Sequence, residues 1–317
     1  MRQWDAGKKH GGTLQGGFLD FFRSWDPLTH FERFAFCFML KPWGCCTEYA
    51  NAVNSACRYF KKRLIMIDFK MWFDDDKITF HDQMTIYFSQ ANKNKALALQ
   101  ELLRITSDAA VEDYRQQGLS REFLFEHDYA ILVSRVAFHF HRMPLENERI
   151  EVTTWEEKPE LFQLKRAYEI TSDSGERLVS GLSAWLLVNP HTRKIIPPKE
   201  FTLHQSNDYE KQKDCMKPGK IVLPKDMQKV DERIVRYSDL DSNGHTTNSR
   251  YGAFVVDALP AEYNEKELVD FRLNYSREAL LGETLTMYAS FDDTNKKVSM
   301  VGKTQNGSSF ESELYYR

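Results

Sequence analysis

The chain has 317 residues, with 43 Lys+Arg against 46 Asp+Glu for a formal net charge of −3, and 42% of it is hydrophobic. That is an ordinary globular balance at a length suited to two modest domains rather than one core. It argues against a dedicated nucleic-acid binder, which is usually basic as a whole, and no apolar run approaches the ~20 residues of a membrane span. The best apolar stretch, Phe34 to Leu40, is short, and Met1 to Gly17 is polar and glycine-rich, without the apolar region of a signal peptide. A cytoplasmic protein is expected.

In chain order, the first 70 residues stand apart: they lack sustained periodicity and hold Cys37, Cys45, Cys46 and Cys57. Two readings apply, a loosely folded N-terminal extension or non-native upstream sequence with translation starting at Met66 or Met71; the second is favoured. The adjacent pair Cys45-Cys46 is not a CxxC, and no His partner sits at zinc-finger spacing, so no structural metal is expected and the cysteines, with Cys215, read as free thiols. Asp74-Asp75-Asp76 reads as a solvated start to the first strand.

From Lys77 the pattern becomes regular. Residues 77–89 have strand character. Asn94 to Gln117 reads as a helix, with Ala96, Leu99, Leu103, Ala110 and Tyr114 at helical spacing and Gly118 at its stop. Strands follow around 136–140, 151–155, 163–171 and 179–188, with Ser172-Asp173-Ser174-Gly175 as a hairpin turn. One long helix followed by antiparallel strands is an α+β signature, and the small residues Ala109 and Ala110 would let the helix lie close inside a curled sheet. His139 and His141 form an i, i+2 pair on one strand face that could ligate a metal; a solvated face is the simpler reading.

Five prolines between Asn189 and Asp231 mark residues 190–231 as a linker. The same order then returns over 232–317: a strand at 232–237, a helix at 247–259 stopped by Pro260, and strands at 268–275, 284–291, 297–304 and 310–316. Phe88-Ser89-Gln90-Ala91-Asn92-Lys93-Asn94 lies against Tyr237-Ser238-Asp239-Leu240-Asp241-Ser242-Asn243, and Val136 to Phe140 lies against Phe271 to Tyr275. The chain therefore divides into duplicated halves, 77–189 and 232–317.

The halves differ in chemistry. Asp241, Asn243 and His245 in the second face Asn92, Asn94 and Ala96 in the first, and Arg277-Glu278 aligns with Arg142-Met143. Acid/base work at this location is open only to the second half. The spacing of two would point Asp241, Asn243 and His245 to one side of an extended segment, with Gly244 bending the backbone into a helix whose N-terminus could polarise a carbonyl. Ser242-Asn243-Gly244 is equally a good turn, and Asp or Asn before a helix is commonly a cap. No glycine-rich phosphate loop and no Gly-x-Ser-x-Gly elbow occurs.

The segment Tyr237-Ser238-Asp239-Leu240-Asp241-Ser242-Asn243-Gly244-His245-Thr246-Thr247-Asn248-Ser249-Arg250-Tyr251 resembles the signature of acyl-acyl-carrier-protein thioesterases, the plant plastid and bacterial family with a tandem, or double, hotdog fold. Asn274-Tyr275-Ser276-Arg277-Glu278-Ala279 is similar to the same family's Arg-Glu-Cys strand, with Ala279 where a cysteine often stands. Ser183 to Asn189, Leu132 to Arg135 and Arg142-Met143-Pro144 resemble strands of its first domain. The similarity covers residues 77–317. It implies two curled antiparallel sheets, each wrapped around one helix, with a catalytically silent first half that binds the acyl chain.

By that resemblance Asp241, Asn243, His245 and Glu278 carry catalysis. A carboxylate would activate water against the thioester of an acyl chain on acyl carrier protein, releasing free fatty acid and ending chain elongation. Asp241 and Glu278 compete as base, or Asp241 acts as nucleophile; Asn243 would hold water or a carboxylate, and His245 a carboxylate or the oxyanion. No cofactor and no metal is implied. The partner is acyl carrier protein, whose acidity calls for a basic docking patch; a homodimer of the whole chain stays open. Rival readings are an acyl-CoA thioesterase of the same architecture and a non-catalytic acyl-binding protein. Hotdog hydratases place a Pro-Leu pair between Asn and His, where only Gly244 stands here.

Overall fold

The structure, a computed structural model, describes residues 70–317 apart from 76, 207–210 and 212. The expectations for residues 1–69, including the four cysteines there and a start at Met66, lie outside the described residues. Cys215, which does fall within them, is a free thiol that burial pushes up to about 12, far from a reactive thiolate.

The first half runs β1 (Lys70–Phe73), β2 (Thr79–Thr85), α1 (Leu99–Gln116), α2 (Arg121–Glu126), β3 (Ala130–Phe140), β4 (Arg149–Glu160), β5 (Gln163–Ser172) and β6 (Arg177–Val188). The second runs β7 (Gln228–Ile234), α3 (Arg250–Asp257), β8 (Leu268–Tyr275), β9 (Thr284–Asp292), β10 (Lys297–Thr304) and β11 (Gly307–Tyr316). All of these strands join one antiparallel sheet in the order β1-β2-β4-β5-β6-β3-β8-β11-β10-β9-β7. Apart from β1 the order reads the same from either end, with β3 and β8 meeting at the seam, where Phe138 stands opposite Phe271. The α+β expectation holds, as one large sheet with few helices.

Equivalent backbone hydrogen bonds recur in the two halves at the residues the sequence pairs. Leu97 N donates to Pro144 O at 2.8 Å, and Thr246 N to Ala279 O at 3.4 Å. Likewise Arg142 N donates to Leu178 O and Arg277 N to Ser309 O, while Ile86 N donates to Glu148 O and Val235 N to Glu283 O.

Alternation puts the core on one face of the sheet. Val136, Phe138 and Phe140 of β3 and Phe271 and Leu273 of β8 point inward against Leu102, Leu103, Ile105, Ala109 and Ala110 of α1 and Phe254 and Val255 of α3, in a single cluster spanning both halves. Two helices can share this space because α3 is narrow where they cross: a Cβ on Gly252 would lie 2.8 Å from Leu103 Cδ1 and 3.3 Å from Gln100 Cα. The rings of Phe138 and Phe310 cover their cross-strand partners Gly181 and Gly302, where a Cβ would come within 2.5 and 2.2 Å of them.

Both helices begin later than periodicity predicts, at Leu99 rather than Asn94 and at Arg250 rather than Thr247. In the first half Asn92 Oδ1 accepts from Asn94 N at 2.9 Å and Ala96 N at 3.2 Å, so a side-chain-closed turn replaces the first helical turn. The strand expected over 77–89 likewise stops at Thr85, before a 3₁₀ turn at Phe88–Gln90. Strand β1 and helix α2 were not anticipated, although Ser120 caps α2 by accepting from Phe123 N at 3.2 Å. No helix among the described residues is long and apolar enough to cross a membrane.

Candidate active site

The segment carrying Asp241, Asn243 and His245 is a closed turn rather than the extended run that would have pointed the three side chains one way. Asp241 N donates to His245 O at 2.8 Å and Gly244 N to Asp241 O at 3.0 Å, with Gly244 at φ +79°. That φ is where glycine is favoured. Asp241 Oδ1 accepts from Asn243 N at 2.8 Å and His245 N at 3.2 Å, the bonds that Asn92 makes in the first half. One oxygen of this carboxylate is therefore occupied in holding the turn. Because α3 starts at Arg250, beyond the loop, the helix N-terminus does not open the motif as expected.

The structure brings His245 and Glu278 together, with His245 Nε2 3.4 Å from Glu278 Oε2 and both side chains partly open to solvent. Their chain neighbours hold them there. Thr246, next to His245, donates its hydroxyl to Ala279 O at 2.6 Å, and Ala279, next to Glu278, is fully buried. Ala279 N donates to the Tyr251 hydroxyl at 3.2 Å; burial raises that hydroxyl above its ordinary value, so it stays protonated. On the other side of Glu278, Arg277 O accepts from Ser309 Oγ at 2.7 Å. Glu278 thus projects from a segment pinned on both flanks.

Asn243 is held from the opposite half: Arg121 of α2 donates to its Oδ1 at 2.9 Å. Sequence reasoning missed Arg121, and no local signal could have found it, since it lies 122 residues away. Tyr251 was within reach, as the last residue of the quoted motif. Other motif residues are structural. Asp239, fully buried, accepts from Arg250 Nε at 2.9 Å and Nη2 at 2.8 Å and from Arg236 N at 2.9 Å. Burial alone would raise its carboxyl, but the Arg236 N–H and the guanidinium groups of Arg250 and Arg233 outweigh it and hold the carboxyl below the ordinary range.

At the positions of His245 and Glu278 the first half has Ala96 and Met143, with Met143 packed against the core. An imidazole beside a carboxylate can share or shuttle a proton; a methyl beside a thioether cannot.

Residues 77–202 match the acyl-ACP thioesterase N-terminal domain and residues 223–313 its C-terminal domain, together more than half of the chain. Among curated proteins, a chloroplastic acyl-[acyl-carrier-protein] hydrolase of Cuphea viscosissima is 24% identical over 64% of this chain and 53% of its own length. A chloroplastic oleoyl-acyl carrier protein thioesterase of Arabidopsis thaliana is 20% identical over 75% of this chain and 70% of its own. The chain spans about half the length of most of these relatives. Among solved structures, an acyl-ACP thioesterase from Bacteroides thetaiotaomicron superposes with a TM-score of 0.70 at 23% identity, covering 77% of this chain and 99% of that one. The 12:0-ACP thioesterase from Umbellularia californica gives 0.64 at 18%, covering 75% and 97%. Two matched domains in family order, on a fold shared with solved members, make the chain a member of the acyl-ACP thioesterase family.

Proposed function

We propose that the chain hydrolyses fatty acyl thioesters of acyl carrier protein, with the chemistry confined to the C-terminal half, 232–317, of a tandem hotdog. The observation that carries this is the His245–Glu278 pair, 3.4 Å apart, at a location where the duplicated half offers only Ala96 and Met143.

Glu278 takes a proton from a water molecule, whose oxygen attacks the thioester carbonyl carbon. The tetrahedral intermediate collapses with cleavage of the C–S bond, and the departing thiolate recovers the proton, leaving a fatty acid and the carrier thiol. His245 orients Glu278 and can donate to the developing oxyanion. With its Oδ1 taken by Arg121, Asn243 has its NH₂ group to offer a carbonyl oxygen. Asp241 holds the turn on which both ride. No cofactor is required, and Ala279 excludes a thiol nucleophile at that position.

The acyl chain lies against the first half, 77–189. Exposed apolar side chains lie nearby in sequence: Leu280 and Leu281 just beyond Glu278, and Phe123 two residues beyond Arg121. Arg121 and Arg277, both exposed, put positive charge beside the site for an acidic carrier, so association weakens as salt is added.

The test is free-thiol release from acyl-carrier-protein and acyl-CoA substrates over a range of chain lengths, with wild type, Glu278→Gln and His245→Ala. Loss of a general base lowers kcat by about 10²–10⁴-fold. Near-full turnover by Glu278→Gln overturns the assignment, and faster turnover of acyl-CoA than of the carrier-protein thioester overturns the partner.

A further inference from the structure

The outer face of the sheet carries a second cluster of titratable side chains, which the proposed hydrolysis does not use. His139, on β3, and His141, just beyond its end, have ring centroids 4.8 Å apart. Asp214 reaches them from the segment connecting the two halves, and one potential ligand atom from each of His139, His141 and Asp214 lies within 4.8 Å of the others.

We propose that His139, His141 and Asp214 bind a divalent metal ion of the zinc class, which clips the connecting segment to the sheet beside the β3–β8 seam.

Four observations carry this. First, His139 is already oriented from behind: its Nδ1 lies 2.9 Å from Asp270 Oδ1 on β8, so Nε2 is the nitrogen left for a metal. A carboxylate on the far nitrogen is the arrangement that commonly fixes a metal-bound imidazole. Second, His141 Nε2 is buried without a hydrogen-bond partner and lies 3.6 Å from Asp214 Oδ2. A buried polar atom left in that state is costly, and a shared cation satisfies it together with the carboxylate.

Third, the connecting segment is anchored on both sides of Asp214. Lys213 pairs with Glu157, Cys215 packs on Trp155, Ala167 and Leu182, and Gly219 O accepts from Arg272 at 2.9 Å and Asn274 at 3.2 Å. Asp214 is therefore delivered to the histidines by the fold rather than by chance, while Cys215 turns away into an apolar cluster and is not a ligand. Fourth, two imidazoles and one carboxylate form a borderline donor set that suits zinc and its neighbours rather than magnesium or calcium, with a fourth, tetrahedral position for water. The His141–Asp214 separation of 3.6 Å is already close to the roughly 3.3 Å donor spacing set by metal–ligand bonds near 2.0–2.1 Å, and the Asp214 side chain, 61% exposed, has room to adjust.

The experiment uses the full chain, stripped with a chelator and titrated with Zn²⁺ or Co²⁺. Residues 1–69 contain cysteines that can also take metal, so the readout is the difference between wild type and variants. Wild type is expected to bind one equivalent more than the His139→Ala/His141→Ala double variant and more than Asp214→Ala. The Co²⁺ spectrum of that equivalent shows tetrahedral visible bands without a thiolate charge-transfer band. Asp270→Asn weakens it by about 10–100-fold. Trypsin cleavage at Lys211 and Lys217 slows when Zn²⁺ is added to wild type and is unchanged by Zn²⁺ in Asp214→Ala. If the double variant does not fold, Asp214→Ala, on the connecting segment rather than in the sheet, decides alone. Equal stoichiometry in wild type and Asp214→Ala, or a Zn²⁺ effect on cleavage that survives in Asp214→Ala, overturns the site.

Discussion

Asp241 and Glu278 are equal candidates as base on residue type alone, and their surroundings separate them. Asp241 makes the same two side-chain-to-backbone bonds as Asn92, which stands in a half without the imidazole or the second carboxylate. An amide does that work as well as a carboxylate. Asp241→Asn is therefore expected to retain the turn and to lower kcat by less than about tenfold, whereas Asp241→Ala opens the turn and costs far more. Thiol-release kinetics on both variants checks this; equal, large losses would make Asp241 a chemical participant. The pattern Asp241-x-Asn243-x-His245 was legible in the sequence. That Asp241 holds the turn was not, because that depends on which backbone N–H groups fold back onto the carboxylate.

Asp82 supplies a second test at this scale. Buried in β2, its carboxyl is raised from 3.8 to about 6, first by burial and then by Glu112 and Asp108 on α1. Well below pH 3.8 the folded and unfolded states both hold the proton and this group leaves stability unaffected. As pH rises towards 6 the unfolded chain releases its proton first, so stability falls, and above that the deficit is complete and constant. Asp82→Asn is expected to raise stability at pH 8 by about 1–3 kcal/mol and to leave it nearly unchanged at pH 3. Urea unfolding at the two pH values measures this; an equal gain at both would mean the effect is not ionic.

At the scale of elements, several strands end where alternation predicts: β8 at Leu268–Tyr275 and β10 at Lys297–Thr304 coincide with the sequence reading. The helix starts did not, because Asn92 and Asp241 close turns that compete with the first helical hydrogen bonds. What periodicity could not convey is how α1 is fastened to the sheet. Arg166 of β5, 3% exposed, donates to Asp113 of α1 at 2.5 Å and lies 3.8 Å from Glu156 of β4. Glu156 is also bonded to Tyr114 and lies 2.7 Å from His204 Nε2. Burial would raise Glu156, but His204 and Arg166 outweigh it and hold the carboxyl below its ordinary range. Arg166→Ala leaves buried Asp113 without its cation, takes from Glu156 one of the two groups that hold it down, and is expected to destabilise by about 3–5 kcal/mol. A shift in the urea midpoint equivalent to less than about 1 kcal/mol would place this network among the surface pairs that contribute little. The first half is thus free of ionisable groups at the location matching His245 and Glu278, but not in its interior.

Over the described residues, the two halves meet along the β3–β8 seam from Arg135–Asn274 to His139–Asp270, at α1 against α3, where Gly252 allows close approach, and through side-chain pairs such as Arg121 with Asn243. Their apolar faces form one core cluster. Residues 70–317 are therefore expected to unfold in a single transition, with intrinsic fluorescence and far-ultraviolet circular dichroism superimposing. Two separated transitions would show that each half holds its own core. By itself the sequence determined the repeated order of helix and strands and the half in which Asp241, Asn243, His245 and Glu278 reside, because periodicity and residue identity are local properties. Only the tertiary structure decided that His245 meets Glu278, that Arg121 reaches Asn243 from the other half, and that Asp214 arrives beside His139 and His141. Those pairings join residues far apart in the chain, and their positions follow from how strands pair and helices pack rather than from any neighbour in sequence.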